Sequence, residues 1–159
     1  WTSQLVIGDI MKKLLALLLL SPLAFANENK MVPLTDYVDG LGDNIGDAEM
    51  LYVTYRCTGL YGMMYGIVEN APQEGAKEIL KDLMDSNLIV IQMSQIIYNN
   101  LTPIDDREFD DNLKRSLLPI ADNYQTEANA SWIDSGNYFN DYIMDDAGIC
   151  KMVVESFNN

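Results

Sequence analysis

The chain has 159 residues, no histidine, two cysteines and a formal net charge of −14. The missing histidine excludes Ser-His-Asp and Cys-His catalysis, histidine-ligated zinc or haem, and the Glu-x-x-His di-iron centre of helical bundles. Neither a P-loop nor a dinucleotide-binding glycine motif is present, so paired carboxylates are the main catalytic chemistry left open. The negative charge opposes nucleic acid and favours a cationic partner or divalent metal ions.

The N-terminal residues have the pattern of an export signal. Residues 11–13 read Met-Lys-Lys, residues 14–20 are apolar, and residues 24–26 read Ala-Phe-Ala, a typical cleavage site. The apolar run is shorter than the roughly 20 residues of a membrane-spanning helix. We therefore expect cleavage after Ala26, no stable membrane insertion afterwards, and a periplasmic or secreted location. Residues 1–10 are interpreted as translation upstream of the true start.

Cleavage there would leave 8 of the 10 basic and 23 of the 24 acidic side chains, a formal charge of −15. Residues 27–46 contain Pro33 and three glycines among scattered acids, and they are predicted to form a non-helical arm. Such a segment can wrap around Ca²⁺, which takes roughly six to eight oxygen ligands; the candidate ligands are Asp36, Asp39, Asp43 and Asp47. The spacing does not match an EF-hand, and a solvated arm without metal is the alternative.

A first helix is predicted over residues 47–68. Apart from Glu49, Arg56 and Glu69 it carries almost no charge, which is typical of a helix packed on more than one side. We therefore expect it to be the central helix of the fold. At helical spacing one of its faces carries Val53, Cys57, Leu60, Met64, Ile67 and Val68.

Three more helices are predicted over residues 73–100, 105–132 and 138–157, each with apolar residues at helical spacing. The buried face of the second is predicted to hold Ala76, Ile79, Leu80, Leu83, Val90, Ile91, Ile97 and Tyr98, interrupted by Asn87 and Ser94. The third holds Phe109, Leu113, Leu117, Ile120, Ala121, Tyr124 and Ala128. The fourth holds Phe139, Tyr142, Ile143, Ala147, Cys150, Val153, Val154 and Phe157. The acidic pair Asp145-Asp146 is predicted to lie at a helix start or to face solvent.

Short connections between four helices favour antiparallel neighbours. The predicted fold is therefore all-α, a four-helix bundle-like single domain over residues 47–159. In this arrangement Cys57 and Cys150, on the first and last helices, differ in height by only about 5 Å. Both lie on apolar faces, and an exported chain meets an oxidising compartment. We predict a Cys57–Cys150 disulfide; two buried free thiols are the alternative.

The opposite face of the first helix carries Tyr55, Gly59, Gly62 and Gly66. Glycine costs a helix interior about 1 kcal/mol relative to alanine, so something is expected to approach this face closely. One interpretation is tight packing against another helix of the domain. The other is a groove for a ligand, a partner or a second copy of the chain, with further tyrosines nearby.

The function predicted from these features is non-catalytic. We expect an exported helical protein that engages an unidentified, cationic protein or peptide, with self-association left open. Two other functions remain as alternatives: an acid-stress chaperone, in which protonation of many carboxylates near pH 4 loosens the fold, and a divalent-cation-binding protein that uses the acidic arm. No cofactor is predicted, with Ca²⁺ as the alternative.

Overall fold

The structure, a computed structural model, describes residues 30–43, 45–70, 74–101 and 106–157, with side chains for all of these except 106–108. The predicted export signal, and residues 1–10 before it, lie outside the described residues. The chain divides into Trp1–Met31 and Val32–Asn159. The fold below is that of the second unit.

The described part of the chain contains five helices and no strand. They are α1 (Leu34–Leu41), α2 (Asp47–Glu69), α3 (Ala76–Leu101), α4 (Asp106–Ser135) and α5 (Asp141–Phe157). The four long helices begin and end within three residues of their predicted bounds, and the prediction of an all-α, bundle-like fold is confirmed. Among these described helices, none combines the length and the apolar character needed to cross a membrane.

The prediction of a non-helical arm is wrong over Leu34–Leu41, which forms α1. Leu34 is completely buried, and α1 packs against α5. Gly42, with a φ of 56°, ends the helix, and its backbone N–H donates to the Asp39 carbonyl oxygen. A helix this short is not stable alone. It depends on docking, and its apolar residues Leu34, Val38 and Leu41 recur at helical spacing in the sequence.

Helix α2 is the centre of the fold, as predicted. It packs against α3, α4 and α5, and no single face of it is reserved for solvent over its middle turns. Its buried residues include every position from Val53 to Tyr61, together with Met63 and Val68. Helix α4 buries Phe109, Leu113, Ile120, Tyr124 and Ala128, which confirms most of its predicted stripe.

Two hydrogen bonds cap the first turns of α2 and α5. The Gly46 backbone N–H donates to Glu49 Oε2 at the start of α2, over 3.1 Å, as in the second half of a capping box. Asn140 Oδ1 accepts from the Ile143 backbone N–H at the start of α5, also over 3.1 Å, as an N-cap residue does. Between α4 and α5, Gly136 adopts a φ of 71°, which favours glycine.

The glycines of α2 predict opposite effects of an added methyl group. A Cβ at Gly59 would lie 2.6 Å from Cγ2 of Ile120, a stiff β-branched side chain on α4. Gly59→Ala is therefore expected to lower the free energy of unfolding by about 1–3 kcal/mol through overpacking. At Gly62 a Cβ has no neighbour within 4 Å, and Gly62→Ala is expected to raise it by about 1 kcal/mol. Urea unfolding of both variants tests this; a gain at Gly59 would contradict the packing.

Candidate functional site

The predicted disulfide joins Cys57 of α2 to Cys150 of α5, with a Cα–Cα distance of 5.3 Å. Both residues are completely buried. The bond spans 93 residues of sequence and ties the central helix to the last one. The alternative of two free thiols is wrong.

A buried ion pair lies beside the disulfide. Arg56 precedes Cys57, Asp146 lies one turn before Cys150, and both charged side chains are fully inaccessible to solvent. Arg56 Nη2 donates to Asp146 Oδ2 over 2.5 Å. The prediction that Asp146 faces solvent is therefore wrong: it shares the buried face of α5 with Ile143 and Cys150.

Three tyrosine hydroxyls surround this pair. The Tyr124 hydroxyl donates to Asp146 Oδ2 over 2.6 Å and accepts from Arg56 Nε over 2.9 Å. Arg56 Nη2 also donates to the Tyr142 hydroxyl over 3.3 Å, and Nη1 to the Tyr52 hydroxyl over 3.4 Å. These five residues are called the Arg56 network below. They connect α2, α4 and α5 through side chains alone.

The Arg56 network also holds the chain just before α1. Arg56 Nη1 donates to the Val32 carbonyl oxygen over 2.9 Å, and the Leu34 backbone N–H donates to Asp146 Oδ1 over 2.6 Å. Because Asp146 thereby accepts on both oxygens and Arg56 donates from all three nitrogens, the two buried charges are fully hydrogen-bonded. Such saturation offsets part of the desolvation cost of burying an ion pair.

Burial lowers the pKa of Arg56, but the neighbouring Tyr124, the tyrosine hydrogen bonds and Asp146 outweigh it, so the pKa of the guanidinium is raised. Burial also raises the pKa of Tyr124, with Arg56 opposing and Asp146 adding to the rise. The guanidinium and the phenol therefore both remain protonated at neutral pH. None of the five residues lines either cleft described below, and the network acts as a polar clamp within the core.

The buried tyrosines predict a loss of stability at alkaline pH. Burial is the largest cause that raises the pKa of Tyr55, Tyr61 and Tyr142 from 10.0 to about 12. A phenol with a raised folded-state pKa contributes stability that is complete below pH 10 and is lost as the pH rises to about 12. The urea midpoint should fall across this window, and the native protein should reach its full phenolate absorbance at a higher pH than the unfolded chain does. Native tyrosines that all titrate near pH 10 would contradict this.

An open cleft of about 560 Å³ lies between α3 and α5. Its apolar wall is formed by Tyr61, Ile79, Leu83, Ile89, Ala147 and Val154, and its charged residues are Asp82, Asp85, Lys151 and Glu155. The charged side chains are exposed and the apolar ones are mostly buried or half-buried, so carboxylates border an apolar floor. This surface is called the acidic cleft. Ile79, predicted to be buried, is 41% exposed here.

The acidic cleft keeps an excess of negative charge after its salt bridges are counted. Lys151 Nζ lies 3.8 Å from Glu155 Oε1, and Lys81 Nζ, outside the lining, lies 2.8 Å from Asp85 Oδ2. Three carboxylates line the cleft against one lysine. Burial and then the charge of Glu155 raise the pKa of Tyr61 to about 12, so its phenol remains a neutral group in the cleft wall.

A smaller open cleft, of about 230 Å³, lies between α2 and α3. It is lined by Gly62, Tyr65, Leu83, Met84, Asn87, Leu88 and Ile91, and it is called the Gly62 cleft. Leu83 borders both clefts. Helix α3 buries few side chains, because the two clefts leave much of its surface uncovered; these are Leu83, Val90 and Ser94.

The structure does not keep the four residues of the predicted groove together. Tyr55 is buried, and its hydroxyl donates to Asn112 Oδ1 of α4 over 2.8 Å. Gly59 packs against Ile120, so for this residue the close-packing interpretation is confirmed. Gly62 lines the smaller cleft, and Gly66 has open space where a Cβ would lie.

The four candidate Ca²⁺ ligands are not brought together either. Asp36 and Asp39 lie on α1, Asp43 follows its end, and Asp47 begins α2. Among the residues described, no group of three or more acidic, cysteine or histidine side chains is arranged to hold a metal ion. The Ca²⁺ interpretation therefore gains no structural support.

The chain was compared with known protein families, with curated proteins and with solved structures. None of the three comparisons finds a match.

Proposed function

We propose that this chain is an exported, non-catalytic binding protein and that its acidic cleft takes a cationic amphipathic helix of a partner polypeptide. The observation that supports this most directly is the apolar floor bordered by Asp82, Asp85 and Glu155. Amphipathic helices bind in such grooves by placing apolar side chains at helical spacing into them. Lysine or arginine residues beside that apolar face would meet the carboxylates.

The size of the cleft supports a helical segment as the occupant. Its volume of about 560 Å³ lies within the roughly 300–1,000 Å³ of pockets that enclose drug-sized ligands, enough for a few anchoring side chains. The net charge of −14 adds a long-range attraction for a cationic partner, which speeds association at low salt. The same charge opposes a second copy of the chain as the occupant.

Two features support action outside the cytoplasm. Disulfides persist mainly in oxidising compartments, and this chain has one in its core between Cys57 and Cys150. The pattern of residues 11–26 is that of a cleavable export signal. The disulfide and the Arg56 network also hold α2 against α5, which keeps the cleft walls in place and reduces the entropy lost on binding.

The test uses two peptides of the same lysine and leucine composition. In one peptide the leucines share a helical face, and in the other the order is permuted so that they do not. The amphipathic peptide is expected to bind more tightly, and Asp82→Asn/Asp85→Asn should weaken it by about tenfold, with most of the loss in the association rate. Calorimetry gives the affinity, and stopped-flow measurements at several salt concentrations give the rates.

The matched control is Asp110→Asn/Asp122→Asn. It removes the same two charges from exposed positions on α4 that do not line the cleft, and it should leave the affinity within about twofold of native because exposed distant charges are largely screened. Equal weakening by the two double variants would reduce the proposal to a general charge effect. Equal affinity for the two peptides would contradict binding of an amphipathic helix in the cleft.

A further inference from the structure

Gly62 occupies a position where nothing within the described protein requires glycine. It lies in the interior of α2 and is exposed, with no heavy atom within 4 Å of an added Cβ. Glycine weakens a helix interior relative to alanine. At Gly59 the close approach of Ile120 explains why a larger residue is not present. At Gly62 glycine destabilises the helix in the same way, although the space next to it is open.

Asn87 is a second costly residue at the same cleft, on α3. Its Oδ1 atom is buried and has no hydrogen-bond partner, the one such side-chain atom in the part of the chain that the structure describes. A buried acceptor without a donor destabilises the fold. Two facing helices thus each place a destabilising residue at one cleft, and such departures from local rules are expected where a site serves function.

The remaining walls define what the cleft would accept. Met84 and Leu88 are 49% and 52% exposed, and a tyrosine ring and two further aliphatic side chains complete the lining. A thioether and an aromatic ring both favour contact with another aromatic ring. The volume of about 230 Å³ is below the roughly 300–1,000 Å³ of pockets for drug-sized ligands, so the cleft suits a single ring system.

Asn87 adds a requirement for a hydrogen-bond donor on that ring. The terminal torsion of asparagine is soft, so the amide can turn its oxygen towards an N–H or O–H that enters the cleft.

We propose that the Gly62 cleft is a binding site for an aromatic ring that carries one hydrogen-bond donor, the chemistry of indole. The site is separate from the function proposed for the acidic cleft, since neither Asp82 nor Asp85 lines it. The ring can belong to a free small molecule or to a tryptophan side chain of a partner, and the two sources share the same recognition chemistry.

Three probes of nearly equal shape test the proposal by titration. Indole offers an N–H donor, indene has no polar atom, and benzofuran offers only an acceptor. Indole is expected to bind the native protein about tenfold more tightly than indene, as one satisfied buried acceptor predicts, and benzofuran no more tightly than indene. Chemical shifts of the Met84 methyl group and the Asn87 side-chain amide report occupancy. N-acetyl-tryptophanamide is run in parallel, and whether it or indole binds more tightly identifies the source of the ring.

Two variants locate the site. Gly62→Leu fills the cleft and should abolish the indole-induced shift of the Met84 methyl group, and Asn87→Leu should reduce the indole-to-indene affinity ratio to about one. Both variants are expected to melt at higher temperature than the native protein, so unfolding would not explain their losses. Equal native affinity for indole and indene, preference for benzofuran, or undiminished binding to Gly62→Leu would overturn the proposal.

Discussion

Replacing Asp146 with alanine is expected to lower the free energy of unfolding by about 3–5 kcal/mol. The variant leaves the Arg56 guanidinium charged and completely buried. It also removes the acceptor of the Tyr124 hydroxyl and of the Leu34 backbone N–H. An uncompensated buried charge is among the most destabilising consequences of a single substitution. Urea unfolding followed by circular dichroism measures the loss.

Two further variants separate charge burial from other effects. Asp145→Ala changes the exposed neighbour on α5 and should alter the free energy of unfolding by no more than about 0.5 kcal/mol. Arg56→Met/Asp146→Leu removes both charges and should recover part of the stability lost in Asp146→Ala, because no unpaired buried charge remains. A double variant less stable than the single one would show that charge burial is not the cause.

Removing the disulfide is expected to lower the free energy of unfolding by a similar amount. Cys57→Ala/Cys150→Ala frees a loop of 93 residues, and the chain-entropy model assigns about 4–5 kcal/mol to that constraint. Alanine is chosen over serine because both sulfur positions are fully buried and a hydroxyl there would add the cost of an unsatisfied polar group. The urea midpoint of the double variant against the oxidised native protein gives the value.

Reduction provides the matched control for the disulfide. A thiol reductant present during urea unfolding should lower the midpoint of the native protein and leave that of Cys57→Ala/Cys150→Ala unchanged. If the reductant shifts both urea midpoints equally, its effect comes from the solvent conditions and not from the disulfide. An alanine variant as stable as the oxidised native protein would contradict the clamp.

The fold and the disulfide could be predicted because residue patterns within single helices indicated how those helices pack against one another. The scarcity of charge on α2 indicated packing on several sides, and α2 does pack against three other helices. Given a bundle, the apolar faces around Cys57 and Cys150 then brought the two sulfurs together. Helix α1 escaped prediction because Pro33 and three glycines lie within or close to its eight residues, although Leu34, Val38 and Leu41 recur at helical spacing.

Asp146 was misassigned because an acidic pair on a helix is usually solvated. The pattern contained a contrary signal: Asp146 lies three residues after Ile143 and four before Cys150, on the buried face of α5. Arg56 precedes the other cysteine, so the predicted disulfide already placed the two charges near each other. Of the four predicted groove residues only Gly62 lines a cleft. The remaining walls of both clefts could not be predicted, because they depend on which side chains of α3 remain uncovered by α2 and α5.

The proposed binding mode is tested most directly by mapping where the amphipathic lysine-leucine peptide sits. Backbone amide chemical shifts are recorded for the full chain with its disulfide intact, with and without the peptide. We expect the largest changes at residues 79–89 of α3 and 147–155 of α5, the segments that line the acidic cleft. Changes confined to α1 or α4, or spread evenly over all exposed acidic residues, would contradict this binding mode.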